Sequence, residues 1–125
     1  MTKSQTDMTG AEFELMKILW RLEKATVAQV RAESKSDPAY TTVMTLLGRL
    51  EKKGAVAVDK SRQPYVYEPK LRRESVIRRR LNAFIDRVFD GRAESLVLQL
   101  IEDKSLSLDE LRELETRLSD TGEEE

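Results

Sequence analysis

The chain has 125 residues, 39% hydrophobic and 36% charged, which is one domain's worth of length with a highly charged surface. It contains no Cys and no His. This excludes disulfides, thiolate catalysis and Cys-based zinc sites, and removes the commonest general base and transition-metal ligand. The net charge of −1 is lopsided: residues 1–92 carry +7 and residues 93–125 carry −8.

Met1 to Asp7 is polar, lacks a signal-peptide apolar stretch and is expected to be a flexible tail, as are residues 121–125. No apolar run reaches the roughly 18 to 20 residues of a membrane span, so a cytoplasmic chain without membrane insertion is expected. Thr9-Gly10-Ala11-Glu12 is a capping box, with Met8 and Phe13 as a hydrophobic staple, and it opens a helix to about Leu22. Trp20 and Met16 of that helix read as core. Thr26-Val27-Ala28-Gln29 is a second capping box, opening a short helix to about Ser34. Pro38 suits the first turn of the next helix.

The third helix is the clearest. Val43, Leu46, Leu47 and Leu50 fall at i, i+3, i+4 and i+7, and Gly54 suits the position past its end. Gly48 is out of place there, since a mid-helix glycine costs about 1 kcal/mol relative to alanine. The period then changes to two. Ala55–Val58 and Pro64–Glu68 are predicted strands around a polar turn, a hairpin with Lys60 and Arg62 at its tip. Tyr65 and Tyr67 are expected to share one packed face. Three further amphipathic helices follow: Arg72 to Phe89, Arg92 to Asp103, and one capped by Ser107-Leu108-Asp109-Glu110.

Three short helices and a hairpin make a winged helix-turn-helix. The fold expected is mainly α: a winged domain over residues 8–70 with a two-stranded wing, then a helical dimerisation region over 71–120. At 100° per residue, the face of the third helix opposite its apolar stripe shows Thr41, Met44, Thr45, Gly48 and Lys52, with Thr42 and Arg49 on the flank. Its hydroxyls and methyls suit base edges, and Arg49, Lys52 and Lys53 suit phosphates. The candidate DNA-binding residues are Tyr40, Thr41, Thr42, Met44, Thr45, Arg49, Lys52, Lys60 and Arg62. A protein-binding adaptor without sequence-specific DNA binding is the competing reading, since a threonine-rich face also occurs on ordinary exposed helices. The C-terminal helices have little of their own to pack against, so a homodimer through Leu81, Phe84, Ile85, Val88, Leu96, Leu100, Leu111, Leu114 and Leu118 is expected. Arg72, Arg73, Arg78, Arg79 and Arg80 suit either DNA backbone contacts or ion pairs with the acidic third of a partner chain. No Gly-rich phosphate loop or spaced carboxylate pair is present, so no enzyme, cofactor or metal site is expected.

Several stretches resemble one known family. Thr9-Gly10-Ala11-Glu12-Phe13-Glu14-Leu15-Met16 with Leu19-Trp20, Ala39-Tyr40-Thr41-Thr42-Val43-Met44-Thr45-Leu46-Leu47 with Arg49-Leu50 and Lys52-Lys53-Gly54, and Tyr65-Val66-Tyr67-Glu68-Pro69 are similar to the BlaI/MecI/CopY penicillinase repressors. So is the C-terminal part, through Phe89-Asp90-Gly91 and Ser95-Leu96-Val97-Leu98, and the resemblance spans about residues 8–119. It implies a dimeric transcriptional repressor on a palindromic double-stranded DNA operator, controlling resistance or stress genes of the β-lactamase-regulator type. In the β-lactam branch a sensor protease cuts the repressor at an Asn-Phe pair; the matching positions here are Gln99 and Leu100. The copper branch senses metal through C-terminal cysteines, which this chain lacks.

Overall fold

The computed structural model describes residues 8–122, so the expected tail 1–7 and the last three residues of 121–125 lie outside the described residues. Six helices and one hairpin follow in order: α1 (Gly10–Leu22), α2 (Val27–Glu33), α3 (Tyr40–Lys52), β1 (Val56–Asp59), β2 (Val66–Pro69), α4 (Arg73–Phe89), α5 (Ala93–Glu102) and α6 (Leu108–Gly122). The mainly helical winged architecture is the one the periodicity predicts. The chain forms two compact units, one through Leu81 and one from Asn82.

Local sequence sets the helix starts. In α1 the Thr9 hydroxyl accepts the Glu12 N–H at 3.1 Å, and the Glu12 carboxylate accepts the Thr9 N–H at 2.9 Å. Thr26 and Gln29 repeat the exchange at α2, and Ser107 and Glu110 at α6. Each box satisfies amide donors that the first turn of a helix leaves over. Past the C-cap Lys53 of α3 stands Gly54, whose φ of 77° favours glycine. Pro38 is not in the first turn of α3 as expected. It precedes the N-cap Ala39, where its carbonyl accepts a bond from Arg31 Nε at 2.8 Å.

The first unit is built on one core. Leu15, Met16 and Leu19 of α1, Val30 of α2 and Val43, Leu47 and Leu50 of α3 are buried together with Val56 and Tyr67 of the hairpin. Leu46 and Trp20 are half-buried at its margin. β1 and β2 pair antiparallel, with Val58 opposite Tyr67 and Val56 opposite Pro69. Both strands start later than predicted. The Ala55 N–H is used behind α3, donating to the Leu50 carbonyl at 2.9 Å, while Pro64 has no N–H to offer a ladder. Tyr65 consequently lies outside β2 and is exposed, whereas Tyr67 is buried. Ala25 adds a short third rung on the other side of β2, exchanging two backbone bonds with Tyr67 at 2.8 and 2.9 Å.

The start of α4 belongs to this unit. Val76 is fully buried, a contribution of about 1.5–3 kcal/mol from its side chain alone. Trp20 Nε1 donates to the Leu71 carbonyl at 3.0 Å. Arg80 donates to the Met8 carbonyl at 2.8 Å and lies over the Phe13 ring, 4.5 Å from its centroid.

In the second unit, Asp90 and Gly91 turn the chain with φ of 55° and 81°. Phe84 and Phe89 meet edge to face at 5.8 Å. Among the described residues from Asn82 to Asp120 no side chain is buried.

Candidate nucleic-acid interface

The apolar stripe of α3 dictates what its other side presents. With Val43, Leu47 and Leu50 fixed in the core, Tyr40, Thr41, Thr42, Met44, Thr45, Arg49 and Lys52 are all exposed. Tyr40 and Met44 keep 44% and 49% of their surface open. The N-cap Ala39 supplies no side-chain bond, and the first turn carries no acid. That end of α3 therefore keeps its partial positive charge, which favours an anion such as a phosphate.

The single acid of α3, Glu51, is met by a cation from the wing. Lys60 Nζ lies 3.4 Å from the Glu51 carboxylate. At the wing tip the Asp59 carboxylate accepts the Ser61 hydroxyl at 2.5 Å and the Ser61 N–H at 3.0 Å. These two bonds hold the Asp59 carboxyl below its ordinary range, with smaller help from the charges of Arg62 and Lys24. The turn is thus internally bonded, and Arg62 projects exposed beside it.

Lys53 differs from the expectation of a phosphate contact. It is half-buried and paired with the Glu12 carboxylate, whose side chain is 1% exposed. Burial pushes Glu12 up, but the Lys53 hydrogen bond, the Thr9 N–H and the charges of Lys53 and Arg49 outweigh it and hold the carboxyl below its usual value. Read from sequence, Glu12 is only a capping residue. Its second role depends on a partner 41 residues away, for which local spacing carries no signal. The Lys60–Glu51 pair is missed for the same reason.

Of the candidate dimerisation residues, Leu81, Phe84, Val88, Leu114 and Leu118 are exposed, and Ile85, Leu96, Leu100 and Leu111 are half-buried. Gln99 and Leu100 lie within α5, and the Gln99 carbonyl accepts the Asp103 N–H at 3.0 Å. Among the described residues no cluster of three or more acids could hold a metal, and no helix is long and apolar enough to cross a membrane.

Comparison with known proteins bears on this surface. The penicillinase repressor family matches residues 8–120. The chain belongs to the penicillinase repressor family. The relationship predicted from α1, α3 and the wing is thereby borne out, and the family is one of repressors rather than enzymes. The penicillinase repressor of Bacillus licheniformis is 31% identical over 114 residues, covering 90% of this chain and 89% of that protein. The methicillin resistance regulatory protein MecI of Staphylococcus aureus is 30% identical over 121 residues, covering 95% and 98%. Among solved structures, the DNA-binding domain of the repressor BlaI aligns with a TM-score of 0.51 and 32% identity over 58% of this chain and 90% of that one. MarR of E. coli, at 17% identity and a TM-score of 0.50 over 92% and 76%, shares the fold.

Proposed function

We propose that this protein is a cytoplasmic homodimeric repressor that reads a palindromic DNA operator with α3 and straddles the phosphates with its wing. One observation carries the reading: the outward face of α3 is exposed from Tyr40 to Lys52, rich in hydroxyls and methyls, and its one acid is paired with Lys60. Thr41 and Thr45 would meet base edges and thymine methyls, Tyr40, Thr42 and Met44 would line the groove, and Arg49, Lys52, Lys60 and Arg62 would face phosphates. Similarity to a penicillinase repressor and to a methicillin resistance regulatory protein supports a repressor of resistance genes as the role. The second unit supports the dimer, because Phe84, Val88, Leu114 and Leu118 stay exposed there and no described side chain is buried. Two-fold symmetry then sets two reading helices on a two-fold symmetric site.

Relief by a sensor protease at Gln99–Leu100 requires α5 to unwind there, because the bond lies in a hydrogen-bonded helix and proteases take extended chain. The test of the whole reading is selection of bound duplexes from a random-sequence pool. Recovery of a two-fold symmetric motif supports it. Weak salt-sensitive binding with no motif contradicts it and favours a protein-binding adaptor.

A further inference from the structure

We infer that Gly48 is a point of close approach between α3 and duplex DNA, where the absence of a side chain lets the helix seat in the groove. The inference deepens the reading above and rests on it. A glycine in a helix interior is disfavoured against alanine, so a fold that keeps one usually needs it. This fold does not. Gly48 is absent from the positive-φ residues, which include only Gly54 and Gly91 among the described glycines, so alanine can adopt its backbone. Beyond its two chain neighbours and the backbone of α3, a β-carbon placed on Gly48 meets no atom within 4 Å. Gly10 has equal room, but it opens α1, where glycine costs little. Gly48 sits mid-helix.

Its surroundings indicate where the constraint arises. The residues three and four away along the helix surface are Met44, Thr45, Glu51 and Lys52, and all four are exposed. Gly48 is the floor of that outward patch, turned away from Val43, Leu47 and Leu50. The demand for a bare backbone therefore comes from outside the chain. The flanking charges select the occupant. Arg49 and Lys52 lie beside Gly48, Glu51 is paired with Lys60, and no acid stands in the first turn. An acidic partner with a groove to fill fits this, and duplex DNA is such a partner. A side chain at Gly48 would hold α3 off the base edges by about the depth of a methyl group or more.

The experiment uses the full chain, with the duplex that wild-type protein selects from a random pool as the probe. Gly48→Ala is expected to raise Tm by about 2–8 °C, because it removes a helix-interior glycine. Its affinity for the selected duplex is expected to fall about tenfold, and that of Gly48→Leu on the order of a hundredfold. Binding of Gly48→Ala within twofold of wild type would overturn the inference while leaving the repressor reading intact. Equal losses for Ala and Leu would place the effect in backbone freedom and overturn close approach. A lower Tm for Gly48→Ala would also overturn it, by showing that the fold itself needs the glycine. Failure of wild-type protein to select any motif would overturn the repressor reading and this inference together.

Discussion

The pairing of Glu12 with Lys53 ties the start of α1 to the end of α3, and its removal is a quantitative test of how α3 is held. Glu12 is 1% exposed and the Lys53 side chain 26% exposed, so the pair is neither fully dry nor a surface bridge. Breaking a fully buried pair by removing one partner costs about 3–5 kcal/mol, whereas an exposed pair contributes about 0–1. Lys53→Met is therefore expected to destabilise the first unit by about 2–3 kcal/mol at neutral pH. The Glu12 carboxylate would stay buried with the Thr9 N–H and the weaker influence of the Arg49 charge to favour it. Glu12→Met with Lys53→Met should cost less than the sum of the two single changes, because the double variant buries no unpaired charge. The sign with pH also follows. In the wild type the Glu12 carboxyl is held low, so its stabilisation is present above the unfolded value near 4.5 and is lost as pH falls through the lower folded value. In Lys53→Met burial raises that carboxyl instead, so the penalty should shrink as pH falls from 7 toward 4. Urea unfolding at fixed protein concentration, followed by the fluorescence of Trp20, the single tryptophan, reads both effects in the first unit. Additive single and double costs, or a Lys53→Met penalty that does not change with pH, would refute the reasoning.

Two further outcomes follow from the same structure. Arg62→Gln should lower the slope of log affinity against log salt by about 1 per wing, and Lys60→Gln by less, because Lys60 is already paired with Glu51; fluorescence anisotropy on labelled duplex over a salt series measures both. Phe84→Asp with Val88→Asp should leave Trp20 emission unchanged, give a monomer in sedimentation, and lower affinity for a two-fold symmetric duplex by about a hundredfold or more.

What could be read from sequence depended on how local each determinant is. The capping boxes at Thr9, Thr26 and Ser107 work over three residues, and their helices begin where expected. The α3 stripe is equally local, and counting 100° per residue separates buried Val43, Leu47 and Leu50 from exposed Thr41, Thr45 and Lys52. The strand limits were set by competition invisible to alternation: the Ala55 N–H bonds back to α3, and Pro64 lacks a donor. Ala25 pairs with Tyr67 through backbone groups that every residue carries, so no residue type announces it. Lys53 and Lys52 look alike in sequence. A rotation of about 100° sends one to Glu12 and leaves the other exposed beside Gly48.

Base reading by the exposed face of α3 is open to direct measurement. It is tested most directly by selecting duplexes from one random pool with the wild type and with Thr41→Ala/Thr45→Ala, and comparing base preferences position by position. If α3 reads bases, preference relaxes at a few positions in each half-site, with about 1–3 kcal/mol of discrimination lost for each base contact removed, while half-site spacing stays the same. Identical preferences for both proteins would contradict it.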